Sequence, residues 1–192
     1  NISKVISFLE GLKDMGVHTN RSCGFHTHIS FPNITRNDVY WFILYLCGTG
    51  KIHEFDKLGK TLLYNRSYAS PQFLQRTESC LKDKNLTNAM RIVATNEKYR
   101  SIRIHPQGTI EWRGPRTFMN IPTHKKIKSF FEKLDKMITY FVDSKNTDSF
   151  TVVGAYEGDY TLTRAMVDSA LDSVRGWINV SFKENVAKRS LT

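Results

Sequence analysis

The sequence predicts an α+β protein in which a mainly antiparallel sheet carries helices packed on one face, and three observations lead there. Segments of strict two-residue alternation, Cys23–Phe31, Tyr99–His105 and Thr109–Arg113, are interspersed among segments with apolar residues every three or four positions. The last two alternating runs are joined by Pro106-Gln107-Gly108, which suits a tight hairpin turn. No repeat and no second domain of credible size interrupts the 192 residues, a length sufficient for one substantial core.

The elements follow in order. Ile2, Val5, Ile6, Leu9, Leu12 and Met15 predict an amphipathic helix ending near Gly16. A chain that opens inside a helix, without an initiator Met, reads as the continuation of a longer one. The run CGFHTHISF then sets Phe25, Thr27 and Ile29 on one face of a strand and His26, His28 and Ser30 on the other. Pro32-Asn33 ends it, and Thr35 or Asn37 caps a helix through Tyr40, Trp41, Ile43, Leu44 and Leu46 that is apolar all round and therefore buried. Short helices near 51–60 and 72–81 flank Asn65–Pro71. After the hairpin and Pro115, the series Ile127, Phe130, Phe131, Leu134, Met137, Ile138, Phe141 predicts a long helix. Lys125, Lys126 and Lys128 stand at its positive end, where the helix dipole disfavours them, and read as a solvated face. Residues 1–143 form the main α+β unit. Residues 144–192 form a Ser/Asp/Thr-rich extension with a short Val152-Val153 stretch and a helix near 161–174, in the same domain or packed against it.

Composition narrows the function. Lys and Arg number 28 against 18 Asp and Glu, a net charge of +10, which calls for an anionic partner: phosphate, nucleotide, nucleic acid or an acidic substrate. The cysteines Cys23, Cys47 and Cys80 are odd in number and widely spaced, which fits free thiols better than a disulfide framework or a zinc ribbon. The longest apolar run, Val39–Cys47, is far below the roughly 20 residues of a membrane span, so no membrane partner is expected.

Two segments carry chemistry. Imidazoles at His26 and His28 on one strand face could bind a metal, shuttle a proton or hold a phosphate, or simply be a satisfied pair on a half-buried strand. On the hairpin, alternation gathers Arg103, Glu111 and Arg113 on a polar face opposite Ile102, Ile104, Ile110 and Trp112. Such a group is either a structural ion pair or a metal-binding carboxylate with two guanidiniums for a transferring phosphoryl group, where a planar, permanently charged fork is worth most.

Taken together, Ser22-Cys-Gly-Phe-His-Thr-His28, Arg100-Ser-Ile-Arg-Ile104 and Thr109-Ile-Glu-Trp-Arg-Gly-Pro115 resemble, in content and order, the motifs of the amidoligase branch of the glutamine synthetase-like carboxylate-amine ligases. The resemblance covers about residues 1–142 and extends to Arg66-Ser-Tyr-Ala-Ser-Pro71. It implies a glutamine synthetase-like catalytic fold and a reaction in which ATP phosphorylates a carboxylate and an amine attacks the acyl phosphate to give an amide. It also implies Mg²⁺ or Mn²⁺, carboxylate and amine substrates that could be peptide or protein, and a cytoplasmic bacterial or viral setting. By position, His26 and Glu111 would be metal ligands; His28, Arg103 and Arg113 would act on the phosphate or second substrate; Arg100, Lys98 and Arg66 would add cations around ATP.

The sequence departs from that family at one point. The Glu-x-Glu strand that supplies the remaining metal ligands is absent, and Glu157-Gly-Asp159 reads instead as a polar turn. One carboxylate with imidazoles holds Mg²⁺ poorly. The expectation is therefore the C-terminal part of a ligase-like fold, completed by an upstream segment or another chain, or else a copy that has lost catalysis. Two other readings stay open: a degenerate ligase-like scaffold in a larger assembly, and a nucleic-acid or polyanion binder using Tyr64, Tyr68, Tyr99 and Trp112 as stacking platforms among Arg66, Arg76, Arg100 and Arg103.

Overall fold

The structure, a computed structural model, describes residues 2–17, 26–57, 72–95, 100–113 and 124–178. Among them are seven α-helices and two small antiparallel sheets, a mixed α/β architecture. In chain order the elements are α1 (Ile2–Asp14), β1 (Thr27–Ile29), α2 (Arg36–Gly48), α3 (Ile52–Lys57), α4 (Gln72–Lys82), α5 (Leu86–Thr95), β2 (Ile102–His105), β3 (Thr109–Trp112), α6 (His124–Lys145), β4 (Ser149–Val152), β5 (Tyr160–Thr163) and α7 (Arg164–Ser173), with a final 3-10 turn at Arg175–Trp177. No helix among the described residues is long and apolar enough to cross a membrane.

Helix α2 is the centre of the core. Its start is fixed by a capping box: the Asp38 N–H donates to Thr35 Oγ1 at 3.1 Å and the Thr35 N–H donates back to the Asp38 carboxylate at 2.9 Å, an arrangement worth about 1 kcal/mol. Every residue from Val39 to Gly48 is buried, which its uniformly apolar sequence requires, and α4, α5, α6 and β4 pack around it. At Gly48 the approach is so close that a Cβ would lie 2.6 Å from Cε2 of Phe150, while the Val153 N–H donates to the Gly48 carbonyl at 2.9 Å. That glycine is what lets the β4-β5 hairpin seat on the end of α2.

Arg164, the first residue of α7, ties three elements together. Its guanidinium donates to the carbonyls of Ser144 (3.2 Å) and Lys145 (3.3 Å) at the end of α6, pairs with Asp38 (3.3 Å) and lies 5.0 Å from the Trp41 ring centre. A cation at the negative end of a helix is favourably placed.

The other sheet has the order β1-β3-β2, both pairs antiparallel. Its apolar face, with Ile29, Ile102, Ile104, Ile110 and Trp112, joins the helical core, and Trp112 stacks on Phe130 of α6 at 5.8 Å between ring centres. The β2-β3 turn closes at Gly108, whose φ of 79° is the left-handed conformation that a side chain would strain.

Three differences from the sequence reading have physical reasons. Of the expected strand Cys23–Phe31, Thr27–Ile29 pairs in the sheet, and residues 18–25 lie outside the described residues. The helix expected near 161–174 begins only at Arg164, because Tyr160–Thr163, rich in strand-favouring residues, pairs with β4 and buries Leu162 against the core. Thr163 then caps α7 by accepting from the Met166 N–H at 3.3 Å. Helix α5 is an element the sequence reading does not include, and in it Ala89, Met90 and Val93 keep helical spacing and are buried.

Candidate functional site

The register of the three-stranded sheet builds the site. Glu111 in the central strand β3 is paired with His28 of β1 on one side and Arg103 of β2 on the other. One step along, Thr109 stands opposite His105. Because side chains alternate across a strand, the face bearing Glu111 also bears His26, His28, Arg103, His105, Thr109 and Arg113, and the opposite face is the apolar one in the core.

Around Glu111 the contacts are dense. Arg103 Nε donates to Glu111 Oε2, Arg113 Nη1 lies 3.4 Å from Oε1, and His26 Nδ1 lies 3.1 Å from the same oxygen. Side-chain exposure rises outward from 3% for Glu111 through 9% for Arg113 and 16% for Arg103 to 38% for His26. The carboxylate is thus sunk beneath its guanidiniums, with an imidazole at the rim. His28 Nδ1 is 3.0 Å from Thr109 Oγ1, and its ring meets that of His105 edge-on at 4.6 Å.

The electrostatics follow from two permanent cations around one anion. Burial pushes the Glu111 carboxyl up, but the Arg103 hydrogen bond and the charges of Arg103, Arg113 and His26 outweigh it and hold the group below the usual carboxylate range. Burial lowers His26, reinforced by Arg113, and burial lowers His105, reinforced by His28. These two rings favour the neutral form above an ionised glutamate, leaving a surplus of positive charge on the face.

The structure brings together His26, His28, Arg103, Glu111 and Arg113, the residues singled out from the two motifs. It does not bring Arg100 to them. That side chain falls on the other side of β2, buried, with Nη1 donating to the Val93 carbonyl at 3.2 Å and its guanidinium 4.6 Å from the Phe73 ring centre; strand alternation separates it from Arg103. Lys98 and Arg66 lie outside the described residues. Trp112 is fully buried, so it cannot be a stacking platform for a nucleobase. His105 is a member of the site that the motifs did not single out, and its position two residues beyond Arg103 was the available signal.

A metal does not fit easily. Among the described residues, His28, His105 and Glu111 form a group whose ligand atoms lie within 4.8 Å of one another. Both Glu111 oxygens are also engaged by Arg103, Arg113 and His26, so an ion would have to displace them. Mg²⁺ wants several oxygen ligands in near-octahedral array, and this face presents one carboxylate. The expected metal pair, His26 Nδ1 and Glu111 Oε1, lies 3.1 Å apart. What the arrangement can do is receive an oxyanion. Comparison of the chain with protein-family models, with curated proteins and with solved structures finds no match.

Proposed function

We propose that this chain is part of an ATP-dependent carboxylate-amine ligase of the amidoligase, glutamine synthetase-like kind, with the polar face of β1-β3-β2 as its floor for the transferring phosphoryl group. The observation that supports this is the clustering of Arg103 and Arg113 over a buried, ionised Glu111, ringed by His26, His28 and His105. In such a reaction a substrate carboxylate oxygen attacks the γ-phosphorus of ATP and ADP departs. The amine then attacks the acyl phosphate carbon, phosphate leaves, and the amine gives up a proton. The guanidiniums would hold the phosphoryl oxygens as charge builds on them. Glu111 would fix the guanidiniums in place, and His26, held towards its neutral form, would accept the proton.

No step here is routed through Mg²⁺, because the described residues do not form its site. If a metal takes part, its remaining carboxylates come from a further strand beside β1 or β2, the two edges of the sheet among the described residues, supplied by another segment or another chain. A second reading has its own support. Glu111 is already fully engaged by cations, as expected of a ligase-like scaffold that binds an anion without turning it over.

ATP-dependent phosphate release, assayed with pooled carboxylates and amines in the presence of candidate complementing segments, separates the two. The ligase reading expects Arg103→Ala and Glu111→Ala to lower turnover by about 10²- to 10³-fold with circular dichroism unchanged. Undiminished turnover in both would remove this face from the mechanism. Phosphate binding without release under every condition would leave the scaffold. Tight nucleic-acid binding with steep salt dependence, but no ATP turnover, would favour the polyanion reading.

A further inference from the structure

A second basic site lies on the far side of the sheet from Glu111, in a cavity of about 580 Å³ walled by α4, α5 and the 3-10 turn. That volume is within the range of small-molecule sites, roughly 300–1,000 Å³. Among the described residues its lining includes Arg76, Arg91 and Arg100 and no Asp or Glu. Arg100 is buried against the ring of Phe73, so its charge sits inside the wall. Arg76 and Arg91 are exposed, project from α4 and α5, and form no ion pair among the described residues. Both act on the thiol of Cys80 in the cavity wall. At the mouth stands Trp177, 57% exposed although large and apolar, with the Arg91 guanidinium 5.4 Å from its ring centre.

Each feature selects for part of a ligand. The exposed planar guanidiniums of Arg76 and Arg91, on neighbouring helices and with no ion pair among the described residues, select phosphate oxygens, which such groups meet two at a time. An exposed indole backed by a guanidinium offers a face for a planar heteroaromatic ring, whose stacking on an aromatic side chain is worth about 1–3 kcal/mol. We propose that this cavity binds a nucleoside phosphate, the phosphate held by Arg76 and Arg91 over Arg100 and the base stacked on Trp177. This site is separate from the oxyanion face and does not depend on the ligase reading.

Isothermal titration calorimetry of the whole chain with AMP and with inorganic pyrophosphate tests it. AMP is expected to bind, and the double variant Arg76→Ala/Arg91→Ala, altered only at exposed helix positions, to weaken AMP at least about tenfold with circular dichroism unchanged. Trp177→Ala is expected to weaken AMP about tenfold and leave pyrophosphate unaffected, because pyrophosphate has no base to stack. Arg103→Ala, on the other face, is expected to leave AMP binding as it is. Absence of AMP binding overturns the proposal. So does indifference of AMP to Trp177→Ala, which would reduce the site to simple phosphate capture. Loss of AMP binding in Arg103→Ala equal to that in the double variant would move the nucleotide to the oxyanion face and likewise overturn it.

Discussion

Two buried glutamates in this molecule have been given partners in opposite ways. Glu78 of α4 is held by Lys82 one turn later on the same helix and by His53 of α3, both nitrogens 2.8 Å from Oε1. Its partners come from two helices, its one permanent cation balances its one negative charge, and hydrogen bonds from Lys82 and His53 outweigh burial to hold it below the usual carboxylate range. Glu111 draws partners from β2 (Arg103), from just beyond β3 (Arg113) and from just before β1 (His26), and faces two permanent cations. A charge-balanced pair on adjacent helical turns is what a structural ion pair needs. A surplus of guanidiniums over a sunken carboxylate, with imidazoles at the rim, is an arrangement that still wants an anion.

The comparison can be broken at its strongest point first. Glu111→Gln takes the carboxylate away from Arg103 and Arg113, and a loss of about 3–5 kcal/mol is expected, the usual result of removing one partner from a buried pair. Denaturant unfolding measures it, and millimolar phosphate should restore part of the loss by binding where the charge was. A variant as stable as the parent, or indifferent to phosphate, would put Glu111 in the same class as Glu78.

Arg103→Lys keeps the charge but not the planar fork. Phosphate affinity, read as the phosphate-induced rise in melting temperature, should fall about tenfold or more while the fold persists. For Glu78→Gln the expected cost is smaller, about 1–2 kcal/mol, since a charged hydrogen bond is lost at a partly solvated site, and phosphate should give no selective recovery.

Acid titration gives the finest contrast. Glu78 has a native pKa below its unfolded value of about 4.5, so its contribution is complete above that value and drains away as the pH falls below it. Glu78→Gln should flatten the acid limb of the stability curve. On the other site Glu111, also held low, follows the same rule, and the histidines add a decline at higher pH. His26 and His105 have native values below their ordinary 6.5, so the unfolded chain binds more protons and stability declines as the pH falls through that region. His26→Asn/His105→Asn should lessen that decline, with Arg103, Arg113 and Glu111 still facing the position.

Much of the site was legible because it depends on a period of two. His26 and His28 share a face whatever the length of their strand, and the same holds for Arg103 with His105 and Glu111 with Arg113. For Arg100 the two signals diverge: the resemblance implies a cation beside the others, while parity sends its side chain to the other side of β2 from Arg103, where it is buried. The cavity of Arg76, Arg91 and Trp177 left no pattern, since α4, α5 and the final turn meet only through packing.

By itself, the sequence determined which residues share a face of each strand, that Thr35 begins a helix and that this helix is enclosed on all sides. These follow from local geometry, from side-chain chemistry and from the aversion of apolar surface to water. Tertiary structure alone decided that β3 lies between β1 and β2, that His26 and His28 are brought to the Glu111 carboxylate from the side opposite Arg103, and that Tyr160–Thr163 joins a sheet instead of a helix. Pairing between distant segments depends on which buried faces fit one another, and no single stretch of chain contains that information.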